Sequence, residues 1–403
     1  MQRVVIDQPY QFIPPRLNRF WHWTARKLLP GRLRRDYGVT RVECIGAEKL
    51  KASLEAGRGV MLVGNHCRPC DPMVLDSLSA AVDRPFNIIA SWHVFMSSRI
   101  QRFLLPRIGG FSVYREGMDR ESLKCAINVV AAGNCPLVIF AEGIITRCND
   151  RLVNFMEGPA FMARAAAKQR GDGMAVIHPV FIRYFFEGDL QKTVIPVVEE
   201  IERRLSWLPQ TQWPLRERIE KIGHALLALK EIEYLEAPQS GSFSERLQRL
   251  MDHLLVPLEN AWAAGRHDGD VMARVKRLRS SILPEMVTGD LSETDRAARW
   301  RHLSDVYLVQ QLHCYPGDYI ANPTPERILE TIERFEEDLT DAVRPHAPPR
   351  AVIMVGDAIE VSPSRDRSRE IDPVTAAVRS QMEALLEISK DRRTIAPTGT
   401  DLS

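Results

Sequence analysis

No stretch of this 403-residue chain approaches the run of about 20 apolar residues that a membrane-spanning helix needs. Its first residues, Met1-Gln2-Arg3-Val4-Val5-Ile6-Asp7, contain no apolar core of signal-peptide length, so a cytoplasmic location is expected. A large excess of one charge is missing as well. Lys and Arg number 54 against 52 Asp and Glu, a net +2, which removes nucleic acid as the default partner. The seven cysteines (44, 67, 70, 125, 135, 148 and 314) are odd in number and show no framework spacing, so reduced thiols are expected and not a disulfide scaffold. Cys67-x-x-Cys70 lacks a second such pair, or a histidine pair, to complete a zinc site, and no metal is expected. The same two thiols leave three readings open: a redox pair, an oxidant-sensitive spot, or simple filler.

What is present is an ordinary globular balance, 45% apolar and 26% charged, in a chain long enough for two domains or one enlarged one. The first half alternates apolar runs with helical stretches. Strands are expected at Val60–Val63, Phe86–Ala90, Phe111–Tyr114, Leu137–Phe140 and Val176–Tyr184. Between them, helices are expected at Pro72–Ala81, Val94–Leu105, Arg120–Ala132 and Ala160–Lys168, with Asp71-Pro72 a cap-then-proline opening. This alternation predicts an α/β fold, a mixed and largely parallel sheet flanked by helices. From about Glu199 charged helical patterns take over: Leu215–Ala237, Phe243–Trp262, Val271–Leu283, Thr294–Leu312 and Pro325–Val343. Strand character returns over Ala351–Val361, so the helices are either an insertion into the sheet domain or a second, tandem region. The expected organisation is a basic amphipathic segment 1–40, a core 41–198, a helical region 199–349, a closing strand and helix 350–389, and a loose tail 390–403.

Near the N-terminus, Arg16, Arg19, Arg26, Lys27, Arg32, Arg34 and Arg35 stand against one acid, Asp36. Leu17, Phe20, Trp21, Thr24 and Leu28 recur at helical spacing, with Trp23 beside them. A basic amphipathic helix with tryptophans suits a lipid headgroup layer, and Phe20, Trp21, Trp23, Arg26 and Lys27 are the candidate membrane contacts. The same spacing also suits a helix that packs on the protein's own core.

The most informative stretch is Gly59 to Asp71, GVMLVGNHCRPCD. A short apolar run ends at Gly64 and delivers Asn65 and His66 into a loop, with Asp71 five positions beyond the histidine. A carboxylate there can curl back onto one ring nitrogen, fixing the tautomer and leaving the other nitrogen as a base. Three further blocks follow in order: Gly110-Phe111-Ser112-Val113-Tyr114-Arg115, Phe140-Ala141-Glu142-Gly143, and His178-Pro179-Val180-Phe181-Ile182.

Together the four blocks resemble the motifs of the glycerolipid acyltransferase superfamily, the lysophosphatidate and glycerol-3-phosphate O-acyltransferases, over roughly Val42 to Val198. The resemblance implies His66 as catalytic base and Asp71 as its orienting acid. It implies Arg115 as the ligand of the acceptor's phosphate, with Gly110 shaping its strand, and Asn65, Glu142, Gly143 and Arg147 as further substrate residues. An arginine fork suits phosphate oxygens, and an imidazole suits deprotonating a hydroxyl as it attacks a thioester. The implied activity is transfer of a fatty acyl group from acyl-CoA or acyl-carrier protein to a lysophospholipid-like alcohol, 1-acylglycerol-3-phosphate favoured, at a membrane surface. It needs no metal or bound organic cofactor.

The chain departs from the family pattern in two places. Arg115 follows Phe111 by four positions instead of three, so the register rests on Gly109 or Gly110. Ala141 replaces the third motif's proline, and its arginine is displaced to Arg147. The alternatives are a metallohydrolase using His66, Asp71 and His178, a lipid-binding protein that keeps the fold without the chemistry, and an acyltransferase for an amino-lipid or glycolipid.

Overall fold

A computed structural model describes residues 7–171, 174–315, 321, 323–342, 344–346, 348–366, 368, 371–393 and 400–401. The chain divides into two compact units. One holds Phe12–Tyr114, Asp119–Gly188 and the chain from Pro345 on; the other holds residues 7–11, Arg115–Met118 and Asp189–Arg344.

The first unit is built on one mixed sheet. Its strands are β1 (Arg41–Ile45), β2 (Gly59–Gly64), β3 (Asn87–Ser91), β4 (Gly110–Val113), β5 (Leu137–Phe140), β6 (Ala175–Phe186), β7 (Pro349–Val355), β8 (Ile359–Glu360) and β9 (Thr400–Asp401). The order is β4-β3-β5-β2-β6-β7-β1-β9, with β8 pairing on β6. β4, β3, β5, β2 and β6 run parallel, as the alternating pattern predicts. β7 enters antiparallel to β6 and parallel to β1. Of the segment expected as a tail, Thr400–Asp401 pair antiparallel with β1, while residues 394–399 and 402–403 lie outside the described residues.

Seven helices cover this sheet before the helical region begins: α1 (Arg19–Tyr37), α2 (Ala47–Glu55), α3 (Asp71–Ala81), α4 (Trp92–Met96), α5 (Arg99–Arg107), α6 (Arg120–Ala132) and α7 (Gly158–Arg170). The helix expected over Val94–Leu105 is two helices. The break falls at Ser97-Ser98, where the Ser98 side chain accepts the Gln101 N–H and caps α5. α2 is a helix that the strand-and-helix reading passed over.

Both faces of the sheet are dry, so β6 reads as an almost continuous apolar run of twelve residues. Its even positions, Val176, Val180, Ile182 and Tyr184, join a core with Leu50 of α2 and Val74, Leu75 and Leu78 of α3. Its odd positions, Ile177, Phe181 and Phe185, join a second core with Ala126 and Val130 of α6 and Ala163 and Ala166 of α7. The last helix of the chain, α14 (Pro373–Lys390; α8 to α13 are placed below), adds Val374, Val378 and Met382 to that second core.

The second unit is helical: α8 (Leu190–Arg204), α9 (Leu215–Leu235), α10 (Phe243–Trp262), α11 (Val271–Thr288), α12 (Glu293–His313) and α13 (Pro325–Thr340). Helix formation starts at Leu190, earlier than the expected Glu199, because Asp189 caps α8 through the Lys192 N–H. Three successive junctions repeat one device. Glu202 grips Arg218 with bonds of 3.0 and 2.7 Å, Glu231 grips Arg246 with 2.9 and 2.7 Å, and Glu259 grips Arg274 with 2.7 and 2.9 Å. Each glutamate also accepts a bond from its loop, from the Gln210 N–H, the Gln239 N–H and the His267 ring. A residue with positive φ follows each glutamate, at Ser206, Glu236 and Ala264. The three arginines recur every 28 residues within the pattern apolar-x-x-Arg-apolar-x-basic-apolar, at Leu215–Ile222, Phe243–Leu250 and Val271–Leu278. An internal repeat of one helix per period therefore builds much of this unit.

Candidate active site

The candidate site lies where β2 and β5 end in the first unit. β2 stops at Gly64, but β6 runs on past it, which leaves backbone groups of β6 without a neighbouring strand. Two side-chain amides replace that strand. Asn65 accepts the Ile182 N–H at 2.7 Å and donates to the Ile182 carbonyl at 2.9 Å. Asn149 does the same for Tyr184, at 2.6 Å on each side. Buried peptide groups must be paired, and a primary amide is the one side chain that mimics both halves of a peptide. Asn65, expected among the substrate residues, therefore has its amide engaged with β6.

His66 comes next and is held from four sides. Its backbone N–H donates to Glu142 Oε2 at 2.6 Å. Its carbonyl accepts the Thr146 N–H at 2.8 Å. Its ring stacks on Phe140, the last residue of β5, with centroids 4.1 Å apart and planes 18° from parallel. Its Nδ1 bonds Asp71 Oδ2 at 2.8 Å. Asp71 is fully buried, while the His66 side chain keeps 16% exposure. The pair expected from the five-residue spacing is thus formed, with the turn closed by an Arg68 N–H bond to the same carboxylate oxygen at 2.9 Å. The other oxygen of Asp71 accepts the Tyr184 hydroxyl at 2.6 Å. Burial, reinforced by the Asp71 charge, holds the Tyr184 phenol well above its ordinary pKa, so it is a donor.

Glu142 turns inward and does not line an open surface. It is 5% exposed, and its Oε1 accepts the Val153 N–H at 3.2 Å. Burial raises its pKa to about 7, against the pull of the His66 and Val153 N–H bonds. Gly143 has φ +69, and a Cβ there would stand 2.7 Å from Met156 Cε, so the turn after Glu142 favours glycine. Arg147, half-buried on the loop that follows, also has a positive φ of 56.

In the second motif the close approach belongs to Gly109, at φ +101, where a Cβ would meet the Phe86 carbonyl oxygen at 2.2 Å. Gly110 opens β4 beside Ile88 of β3. Arg115 does not belong to the sheet unit. It groups with the helical unit, where burial and the Arg279 guanidinium lower its pKa to about 10 while Glu116 opposes them.

His178 has both ring nitrogens engaged, Nε2 with Ser53 Oγ and Nδ1 with the Gly356 carbonyl, each at 2.9 Å. It is a buried structural histidine, which removes it from the metallohydrolase set. Among the described residues no group of His, Cys, Asp and Glu could hold a metal ion. Cys67 and Cys70 are both buried and in no disulfide, and burial, with Asp71 adding, pushes Cys70 up to about 12.

On α1, Phe20 and Trp23 are exposed at 64% and 58%, while Trp21 is half-buried with its ring edge-on to Phe103 of α5. Lys27 is exposed. Arg26 instead engages Ser79 and Asp76 of α3. Sequence reasoning missed Tyr184 and Asn149 altogether, along with the α5 residues Ile100 and Phe103, exposed at 74% and 45%. An isolated tyrosine inside an apolar strand was the signal available for the first.

A histidine whose Nδ1 is bonded to a buried carboxylate, at the end of a parallel strand, is arranged to take a proton from a hydroxyl or a water. Residues 41–183 match the family model described as Acyltransferase. The matched segment runs from β1 into β6 and contains the His66–Asp71 pair, so this part of the chain is similar to acyltransferases. None of the curated proteins matches the chain. No helix among the described residues is long and apolar enough to cross a membrane.

Proposed function

We propose that the protein transfers a fatty acyl group from acyl-CoA or acyl-carrier protein to the hydroxyl of a lysophospholipid-like acceptor, 1-acylglycerol-3-phosphate above others, with His66 as general base. The observation that carries this reading is the 2.8 Å bond between His66 Nδ1 and the buried Asp71 carboxylate. With Nδ1–H donating to Asp71, Nε2 is the basic nitrogen. It takes the acceptor's hydroxyl proton as that oxygen attacks the thioester carbon. The tetrahedral intermediate then collapses by breaking the C–S bond, and the imidazolium returns its proton to the departing thiolate. The acceptor oxygen is the nucleophile, so no acyl-enzyme forms. Arg147, on the loop after Glu142 in the same unit as His66, is the arginine offered to the acceptor's phosphate in this reading.

The membrane surface is the expected source of acceptor. Phe20, Trp23 and Leu28 of α1 and Ile100 and Phe103 of α5 expose apolar side chains beside Arg19, Lys27, Arg99 and Arg102, which supports peripheral docking on anionic lipid. The test is thiol release from acyl-CoA or acyl-carrier protein with 1-acylglycerol-3-phosphate, glycerol-3-phosphate, an amino-lipid or no acceptor. Acceptor-dependent release that falls on the order of 100-fold or more in His66→Ala is the expected result. Equal release by His66→Ala would refute the histidine's role. Lipid binding without turnover by any donor would favour the lipid-binding reading.

A further inference from the structure

We propose that Tyr184 is a positioning residue of the His66–Asp71 pair: its hydroxyl locks the carboxylate so that Oδ2 faces the imidazole. This rests on reading His66 as the base. Asp71 is fully buried, so its two oxygens are oriented by the donors packed around them. Oδ2 receives His66 Nδ1 and the Arg68 N–H, whereas Oδ1 receives the Tyr184 hydroxyl at 2.6 Å and, at 3.9 Å, the weak Cys67 thiol. Without the phenol, Oδ1 keeps only that thiol, and rotation of the carboxylate is opposed from one side alone.

The donor itself is rigid. The Tyr184 peptide is held on both sides by the Asn149 amide, its ring lies under the Arg68 guanidinium at 5.3 Å, and its hydroxyl touches Cys70 Sγ at 3.3 Å. It stands on β6, in the middle of the sheet, whereas His66 and Asp71 lie on a loop and at the start of a helix. The hydroxyl therefore ties the acid at the start of α3 to a central strand of the sheet. The titratable and charged groups facing this assembly are His66, Cys67, Arg68, Cys70 and, through its charge, Glu142. Tyr184 acts through Asp71 and touches no reacting atom.

The experiment uses the 403-residue chain with Tyr184→Phe and, separately, 2,3-difluorotyrosine placed at 184, which keeps the shape while making the hydroxyl a stronger donor. The Nδ1–H proton resonance of His66 is read by NMR on histidine-labelled protein, its signal identified by its loss in His66→Ala. Removing the donor leaves Asp71 a stronger acceptor for the Nδ1–H bond, and strengthening the donor leaves it a weaker one. The Nδ1–H resonance is therefore expected to move downfield in Tyr184→Phe and upfield with difluorotyrosine. Turnover in Tyr184→Phe is expected to drop about tenfold with the KM for acyl donor unchanged.

A resonance that stays at the wild-type position, or moves in the same direction in both proteins, overturns the proposal. If Tyr184→Phe does not fold, the fluorinated protein decides alone, and an unmoved resonance there overturns it. A failed catalytic reading looks different: His66→Ala would retain turnover, whatever the Tyr184 variants do to the resonance.

Discussion

Glu142 makes the stability of the sheet unit depend on pH in a direction opposite to that of most carboxylates. Its carboxyl is 5% exposed and pinned between the backbone N–H groups of His66 and Val153. Burial outweighs those two bonds and lifts its pKa from 4.5 to about 7. In the unfolded chain the group loses its proton near 4.5, while in the folded protein it keeps it to about 7. Between these values the native state binds the extra proton, so stability is fully present below 4.5 and falls as pH rises through 7. At 1.36 kcal/mol per pH unit, this interval corresponds to a loss on the order of 3 kcal/mol. Glu142→Gln, neutral and nearly isosteric, removes the titration. Urea unfolding of both proteins at pH 5 and pH 8 closes a cycle in which all other titrating groups cancel. Wild type is expected to lose about 2.5 kcal/mol more than the variant between the two pH values, since pH 5 already lies above the lower end of the interval. Equal losses in the two proteins would refute the argument that burial dominates at this carboxyl.

The other consequences are simpler to state. Replacing both Phe20 and Trp23 by Ser is expected to weaken co-sedimentation with anionic vesicles at least tenfold, since burying one such side chain contributes roughly 1.5–3 kcal/mol; unchanged binding would mean that this face docks elsewhere. In the helical unit, Arg246→Met leaves Glu231 buried and unpaired and is expected to cost roughly 3–5 kcal/mol in urea unfolding, while adding Glu231→Leu is expected to restore most of it. A double variant no more stable than the single one would show that Arg246 packs as much as it pairs.

Much of the sheet unit is legible in the chain because its signals are local. Apolar runs closed by glycine or a cap mark β2, β5 and β6, and Asp71-Pro72 marks the start of α3. The His66–Asp71 bond is local too, because a five-residue turn brings the two together whatever the rest of the chain does. Two features escaped for identifiable reasons. The break between α4 and α5 depends on one serine choosing to cap instead of continuing a helix, a choice that a periodic pattern does not display. The helical repeat was visible as three arginines 28 residues apart, but its meaning appears only when each arginine meets a glutamate 15 or 16 positions earlier.

By itself, the sequence determined most of the strands and helices, the likeness of the segment 41–183 to acyltransferases, and the histidine–acid pair at its centre. Each of these follows from residues close together in the chain, where spacing and backbone geometry leave few alternatives. Tertiary structure alone decided how that pair is held: Tyr184 reaches Asp71 from 113 positions away, and Glu142 reaches the His66 backbone from 76. It also turned Asn65 onto β6, buried Glu142, and put Arg115 with the helical unit. Those outcomes depend on which buried polar group lies within reach of which partner, and that is set by strand order and by the length of β6 beyond β2, which local pattern does not encode.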